Sequence, residues 1–243
     1  MVISYNLDGV TELKLPRDVY PEIFLGNITN WNDPKIQAAN PGVKLPDQKI
    51  TVVVRSDSSG TSYVFTHHLA AISDNFKETV GGSKAPNWPS AGTIVKAPKN
   101  DGVTATIKQT PGAIGYIEYG FAKLTKMPTA ILENQKGSFV KAGGETGAAA
   151  LASTPFPENN LPGGDVPDLR AWATDPAGEN AYPIATFTWL LVYKEQEDDK
   201  AKALRDLIEY MVTTGQESAE EMGYIPLPEN VIEKVRNAAQ MIQ

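Results

Sequence analysis

The chain has 243 residues, 41% hydrophobic and 21% charged, enough for one large domain or two small ones with a sizeable core. A formal net charge of −7 argues against a nucleic-acid or anionic-membrane surface. With no cysteine and only two histidines, adjacent at His67 and His68, the composition excludes disulfides and thiolate chemistry, and no metal site or cofactor is expected.

No apolar run reaches the roughly 18 residues that suggest a membrane span. The opening Met-Val-Ile-Ser-Tyr-Asn lacks the basic and apolar regions of a secretory signal, which fits a cytoplasmic protein or a trimmed chain. Val2–Leu7 reads as a short strand. Leu15 to Phe24 leads to Gly26, a helix stop, and Asn32 or Asp33 is placed to cap a short helix from Pro34. Ile50–Val54 is a β-branched run and a buried-strand candidate. Ser56–Ser59 supply turn and N-cap residues, and a helix follows through Tyr63 and beyond. Gly81–Pro89 is a loop by composition. A helix is expected from about Asn100 to before Pro111, a strand at Ala113–Ile117 and a helix at Tyr119–Leu124. The 133–180 region is rich in Gly, Pro, Asn and Ala, with a helical stretch near 148–152. Tyr182–Tyr193 is the longest strand candidate. Helices are expected at Lys200–Thr213, Gln216–Met222 and Glu229–Ile242. Strands alternating with helices imply an α/β fold.

The chemistry concentrates at Arg55 to Ser62. Ser59, Gly60 and Thr61 fall at a helix N-terminus, where unpaired N–H donors and the helix dipole favour an anion. Arg55 adds a planar, permanently charged fork suited to a tetrahedral oxyanion. A plain N-cap beside a surface arginine would give the same pattern. Asp57 is either an Asx-turn residue or the group that holds the Arg55 guanidinium. Asn100-Asp101-Gly102 either offers a second helix N-terminus to a cleft or is a plain cap, and the plain cap is favoured. Ser59 is a poor candidate nucleophile: eight helical residues to His67 is about 12 Å of rise, out of hydrogen-bond reach. His67 and His68 are read as helix-surface or lobe-packing residues, and the four tryptophans as packing.

Arg55-Ser56-Asp57-Ser58-Ser59-Gly60-Thr61-Ser62-Tyr63-Val64-Phe65-Thr66 resembles the signature of the periplasmic phosphate-binding proteins of ABC transporters, the PstS family. Ile23 to Asp33, Pro111 to Tyr119, Tyr182 to Tyr193 and Thr214 to Pro228 resemble flanking segments of that family, in the same order. The resemblance implies a type II periplasmic-binding-protein fold, with two α/β lobes joined by crossover strands. It places residues 8–180 in the lobe that clamps phosphate, and 1–7 with 181–243 in the crossovers and part of the other lobe. It implies phosphate binding by Arg55, Ser59, Gly60 and Thr61, with Asp57 orienting Arg55. It also implies a periplasmic or extracytoplasmic location, an ABC permease as partner and no enzymatic activity. The family carries further N-terminal motifs that supply opposing ligands, among them a carboxylate that accepts the proton of hydrogen phosphate. These do not occur here, so the resemblance implies an N-terminally truncated first lobe, weak and poorly selective oxyanion binding, and a tendency to self-associate. The competing reading is a structural module, or half of a split protein completed by another chain. An enzyme acting on phosphate esters fits least, for want of a metal cluster and a reachable base.

Overall fold

The computed structural model describes residues 1–243 throughout. The elements in chain order are β1 (Val2–Tyr5), β2 (Lys14–Leu15), α1 (Tyr20–Phe24), α2 (Pro34–Ala39), β3 (Thr51–Arg55), α3 (Gly60–Ile72) and α4 (Asp74–Thr79). They continue with β4 (Thr93–Ala97), α5 (Lys99–Gln109), β5 (Ala113–Ile117), α6 (Tyr119–Thr125), β6 (Ile131–Glu133), β7 (Phe139–Val140) and α7 (Gly144–Ala152). The chain closes with α8 (Asp198–Val212), a 3₁₀ turn at Thr214–Gln216, and α9 (Glu229–Ala239).

The main sheet has the order β1-β5-β3-β4. β3 runs parallel to both β4 and β5, and β1 is antiparallel to β5. Val52, Val53 and Val54 in β3 and all of β5 are buried, as expected of strands covered on both faces. Gly115 sits in the middle of β5 because a Cβ there would lie 2.6 Å from the Val53 carbonyl oxygen and 2.8 Å from Ile107 Cδ1 of α5. Its absence lets sheet and helix close together. A second small sheet has the order β2-β6-β7. One large apolar core extends from Val2 to Ile184, with Trp31, Phe24, Phe65 and Tyr116 among its largest side chains. Trp31 is tied down by its indole N–H, which donates to the Gly112 carbonyl at 2.9 Å. The C-terminal part has only two small clusters, Leu151/Ala171/Phe187/Val231 and Ala201/Ile208/Ala239/Ile242.

Asp33 caps α2 through Lys35 N–H, and Ser59 caps α3 through the N–H groups of Thr61 and Ser62. The structure corrects two expectations and adds a strand. Tyr182–Tyr193 forms no strand: the chain bends at Pro183 and Ile184, and no neighbouring strand pairs with the rest. None of the main-chain N–H groups from Ile184 to Glu195 donates to another group of the chain. Leu190, Leu191, Val192 and Tyr193 are all exposed. Gln216–Met222 is a 3₁₀ turn followed by tight turns rather than a helix. β4, an edge strand with three exposed positions of five, lacks the apolar alternation that would reveal it in sequence.

Candidate functional site

Three parallel strands, β4, β3 and β5, end on the same side of the sheet. In open α/β sheets, ligands collect outside those carboxyl ends. Arg55 is the last residue of β3, Glu118 follows β5, and Lys99 and Asn100 open the helix after β4. Beside them stands the N-terminus of α3. Together they border an open cavity of about 720 Å³. Arg55, Ser58, Ser59, Gly60, Thr61, Lys84, Asn100 and Glu118 line its polar side, while Tyr63, Trp172, Phe187 and Trp189 contribute an aromatic wall.

Arg55 is fixed from behind. Its Nε donates to Asp57 Oδ1 at 2.9 Å and its Nη2 to Asp57 Oδ2 at 2.6 Å, a bidentate pair. Nη1 reaches Thr61 Oγ1 at 3.3 Å. The Arg55 side chain is only 8% exposed. The hydrogen bond to Asp57 raises the guanidinium pKa against the opposing effect of burial, so the charge is permanent. The same contact, helped by the Lys99 N–H, holds the Asp57 carboxyl well below the usual carboxylate range. Lys99 donates that N–H at 3.0 Å from a left-handed backbone conformation (φ 53°), which is strained for a non-glycine residue. Asp57 thus spans β3 and the start of α5, and it does not line the cavity. Tyr116 of β5 ties the other side: its hydroxyl accepts from Arg55 N–H at 3.2 Å and shares a 2.7 Å hydrogen bond with Ser62 Oγ.

All four residues expected to contact an anion border the cavity, but their donors are not equally available. Ser59 N–H is used by the Lys84 carbonyl at 2.8 Å. Ser59 Oγ accepts from Thr61 N–H at 3.0 Å and Ser62 N–H at 3.3 Å, leaving its own proton free. Thr61 gives its hydroxyl proton to Glu118 Oε1 at 3.1 Å. The N–H groups of Ser58 and Gly60 have no partner within the chain.

Sequence reasoning missed Lys84 and Glu118, and for Asn100 it favoured a plain cap over a helix N-terminus facing a cleft. Asn100 makes no capping bond. It donates from Nδ2 to Glu118 Oε1 at 2.9 Å and accepts from Glu118 N–H at 3.3 Å. A carboxylate therefore borders the cavity on the same side as the donors, which removes the premise that the site holds donors and no acceptor. The available signal was the position of Glu118, one residue past a buried strand that neighbours β3. Histidine 68 lies away from the cavity wall. It is buried between Tyr20 Oη, 2.7 Å from Nε2, and the Thr174 carbonyl, 2.8 Å from Nδ1. A carbonyl only accepts, so Nδ1 carries the proton and Tyr20 donates to Nε2.

A buttressed arginine and a helix N-terminus thus face one cavity at the parallel strand ends of an α/β domain. The chain belongs to the family described as the PBP superfamily domain, whose model matches residues 1–214. Among curated relatives it is 41% identical to the phosphate-binding protein PstS of Methanocaldococcus jannaschii over the whole of this chain and 65% of that protein. It is 37% identical to PstS of Pasteurella multocida over 95% of this chain and 65% of that protein. The chain thus spans about 65% of the length of these relatives. Solved structures share the fold: the ancestral soluble variant of the human phosphate binding protein superposes with a TM-score of 0.71 at 20% identity, over 97% of this chain and 68% of that one. The high-affinity periplasmic phosphate-binding protein PfluDING, solved with phosphate, gives 0.68 at 22% identity over 97% and 68%. No helix is long and apolar enough to cross a membrane.

Proposed function

We propose that the chain binds inorganic phosphate as the solute-binding part of an ABC phosphate-uptake system. The observation that carries this reading is Arg55, presented at the end of β3 by a bidentate bond to Asp57 beside the N-terminus of α3. Arg55 clamps the anion, and Gly60 N–H and the Ser59 hydroxyl donate to it. Thr61 joins once its hydroxyl turns from Glu118, and Asp57 orients the arginine. The relatives' names support the choice of phosphate. A periplasmic location and a permease partner follow from the same likeness. In this reading residues 8–180 form the clamp lobe, and 1–7 with 181–243 form crossovers and part of a second lobe, with β1 also paired into the clamp-lobe sheet. In this reading the protein binds and releases its ligand rather than turning it over, which the relatives' names support, and both nitrogens of His68 are engaged, so that ring offers no general base.

The cavity is open, so a bound anion keeps part of its hydration and each charge-assisted bond is weakened by the high local dielectric. Titration calorimetry of the chain is expected to give a phosphate Kd in the micromolar range, about −8 kcal/mol. Absence of any phosphate heat at millimolar concentrations would remove the assignment.

A second role is favoured by one observation, the run of main-chain N–H groups from Ile184 to Glu195 that donate to no other group of the chain. Its free N–H groups, the unengaged carbonyls of Thr188 to Val192 and the exposed Leu190, Leu191 and Tyr193 form a template for strand addition. Residues 184–193 carry no charge, so two copies pair without like-charge repulsion. Sedimentation velocity is expected to show concentration-dependent association that a Leu191→Lys substitution reduces. A monomer across the whole range argues against the template.

A further inference from the structure

We propose that the cavity takes phosphate monoesters that carry a planar aromatic group, with the phosphate at Arg55 and the ring on the wall formed by Tyr63, Trp172 and Trp189. The inference rests on the phosphate reading above and extends it from the free ion to its aromatic esters.

The cavity is larger than one small anion needs. Pockets of about 300–1,000 Å³ hold drug-sized molecules, and this one has about 720 Å³. A tetrahedral anion at Arg55 and the N-terminus of α3 leaves most of that space to the aromatic wall. Inorganic phosphate has nothing apolar to place there. An ester has its organic group.

The anion end and the wall belong to one helix. Gly60 and Tyr63 of α3 both border the cavity. Three residues of helix rise about 4.5 Å, and a helical Cα–Cβ bond tilts toward the N-terminus, so the Tyr63 ring leans back toward the anion donors. The phosphorus and ring of an aryl phosphate are separated by a comparable distance. Trp172 lies 5.4 Å from Tyr63 and Trp189 lies 4.8 Å from Trp172, between ring centres, so the three rings form one continuous surface. Trp31 and Trp88 are spent on the core, whereas Trp172 is 49% exposed. A half-exposed indole keeps one face open to a second ring.

The wall is held in place before any ligand arrives. The Trp189 indole N–H donates to the Leu169 carbonyl at 2.9 Å. Just past Trp172, the Thr174 carbonyl accepts from His68 Nδ1, and Asp175 pairs with both Arg17 terminal nitrogens. Rings fixed in this way lose little freedom on binding. At the other end Ser59 is 6% exposed and its hydroxyl proton is uncommitted, which gives the phosphate group a defined seat beside Arg55.

The test needs two esters that differ in the ring. Phenyl phosphate and glycerol 2-phosphate are both dianions at slightly alkaline pH. Titration calorimetry of the 243-residue chain is expected to show phenyl phosphate bound about tenfold more tightly than glycerol 2-phosphate, the gain of one ring stacked on an aromatic side chain. Inorganic phosphate is expected to displace phenyl phosphate, because both occupy Arg55. Trp172→Ala is expected to bring the two esters within about twofold of each other while leaving the Kd for inorganic phosphate within about twofold of its original value. Equal binding of the two esters by the unaltered chain overturns the proposal without any variant, so a failure of Trp172→Ala to fold leaves the test intact. Phenyl phosphate that inorganic phosphate does not displace overturns it, as does an undiminished preference in folded Trp172→Ala. No binding of any of the three ligands sinks the phosphate reading and this inference together. Phosphate binding with no preference for the aromatic ester sinks only the inference.

Discussion

Replacing Arg55 with alanine is expected to weaken phosphate binding about 100-fold. A hydrogen bond to a charged group contributes roughly 1.5–3 kcal/mol, and each 1.4 kcal/mol is tenfold in Kd. The guanidinium is the cation whose orientation is fixed at the carboxyl ends of the parallel strands, and its loss also leaves Asp57 unbalanced beside the ligand. Lysine is a poor substitute. One ammonium cannot satisfy both Asp57 oxygens and still face the cavity in a defined direction, so Arg55→Lys is expected to lose about tenfold. Asp57→Ala should fall between these, because it releases both the guanidinium and the Lys99 N–H. The three effects will not add, since the residues share one network. Calorimetry on variants with unchanged melting temperature is the measurement, and an Arg55→Ala chain that binds within twofold of the original would move the site elsewhere.

Acidification is expected to destabilise the fold between pH 6.5 and about 4 through His68. Burial lowers the His68 pKa to about 4 from an ordinary 6.5, only partly offset by its bond to the Thr174 carbonyl. The folded chain therefore holds the ring neutral where the unfolded chain protonates it. The unfolded state binds the extra proton, so stability rises with pH across this window. The contribution is complete above pH 6.5, declines as pH falls and is gone below about 4, amounting to at most roughly 3 kcal/mol. Asp168 is depressed to about 2 by Arg170 and titrates in a lower window, which keeps the two effects separable. His68→Phe keeps a ring against Tyr20 (now stacked at 5.9 Å) but leaves Tyr20 Oη and the Thr174 carbonyl unpaired. That variant should lose about 1–3 kcal/mol at pH 7.5 while showing a flatter pH dependence. Urea unfolding at pH 7.5, 6 and 5 reads both. Equal slopes in the two proteins would take His68 out of the account.

The parts of the structure legible in sequence were those decided locally. Ile50–Val54 is buried on both faces, so its apolar run needs no context, and Ser59 caps α3 with residues two and three positions on. Asp57 could be paired with Arg55 because the two lie in one short turn. The remainder depends on distant partners. Tyr182–Tyr193 is rich in β-branched and aromatic residues and still makes no ladder, because pairing is a property of two segments and no other segment of the chain pairs with this one. Glu118 acquires its meaning from Asn100 and Thr61, which lie 18 and 57 positions away. His68 looked like a helix-surface or packing residue, and only the return of the chain at Thr174 shows it to be an internal polar link. Arg17 and Asp175, joined by two hydrogen bonds at 2.7 and 2.5 Å, secure the same return.

The aromatic wall gives the protein an optical readout of its own. Trp31 is fully buried and Trp88 nearly so, both in the large core. Trp172 is about half exposed on the cavity wall, 4.8 Å from Trp189 and 5.4 Å from Tyr63 between ring centres. The four indoles thus divide into two populations with different quencher access. Iodide reaches the cavity pair and spares the core pair. Emission from Trp172 and Trp189 is expected to follow occupancy of the cleft, and that of Trp31 and Trp88 to report whether the domain is folded, so that one fluorescence spectrum would separate ligand release from unfolding without an added label.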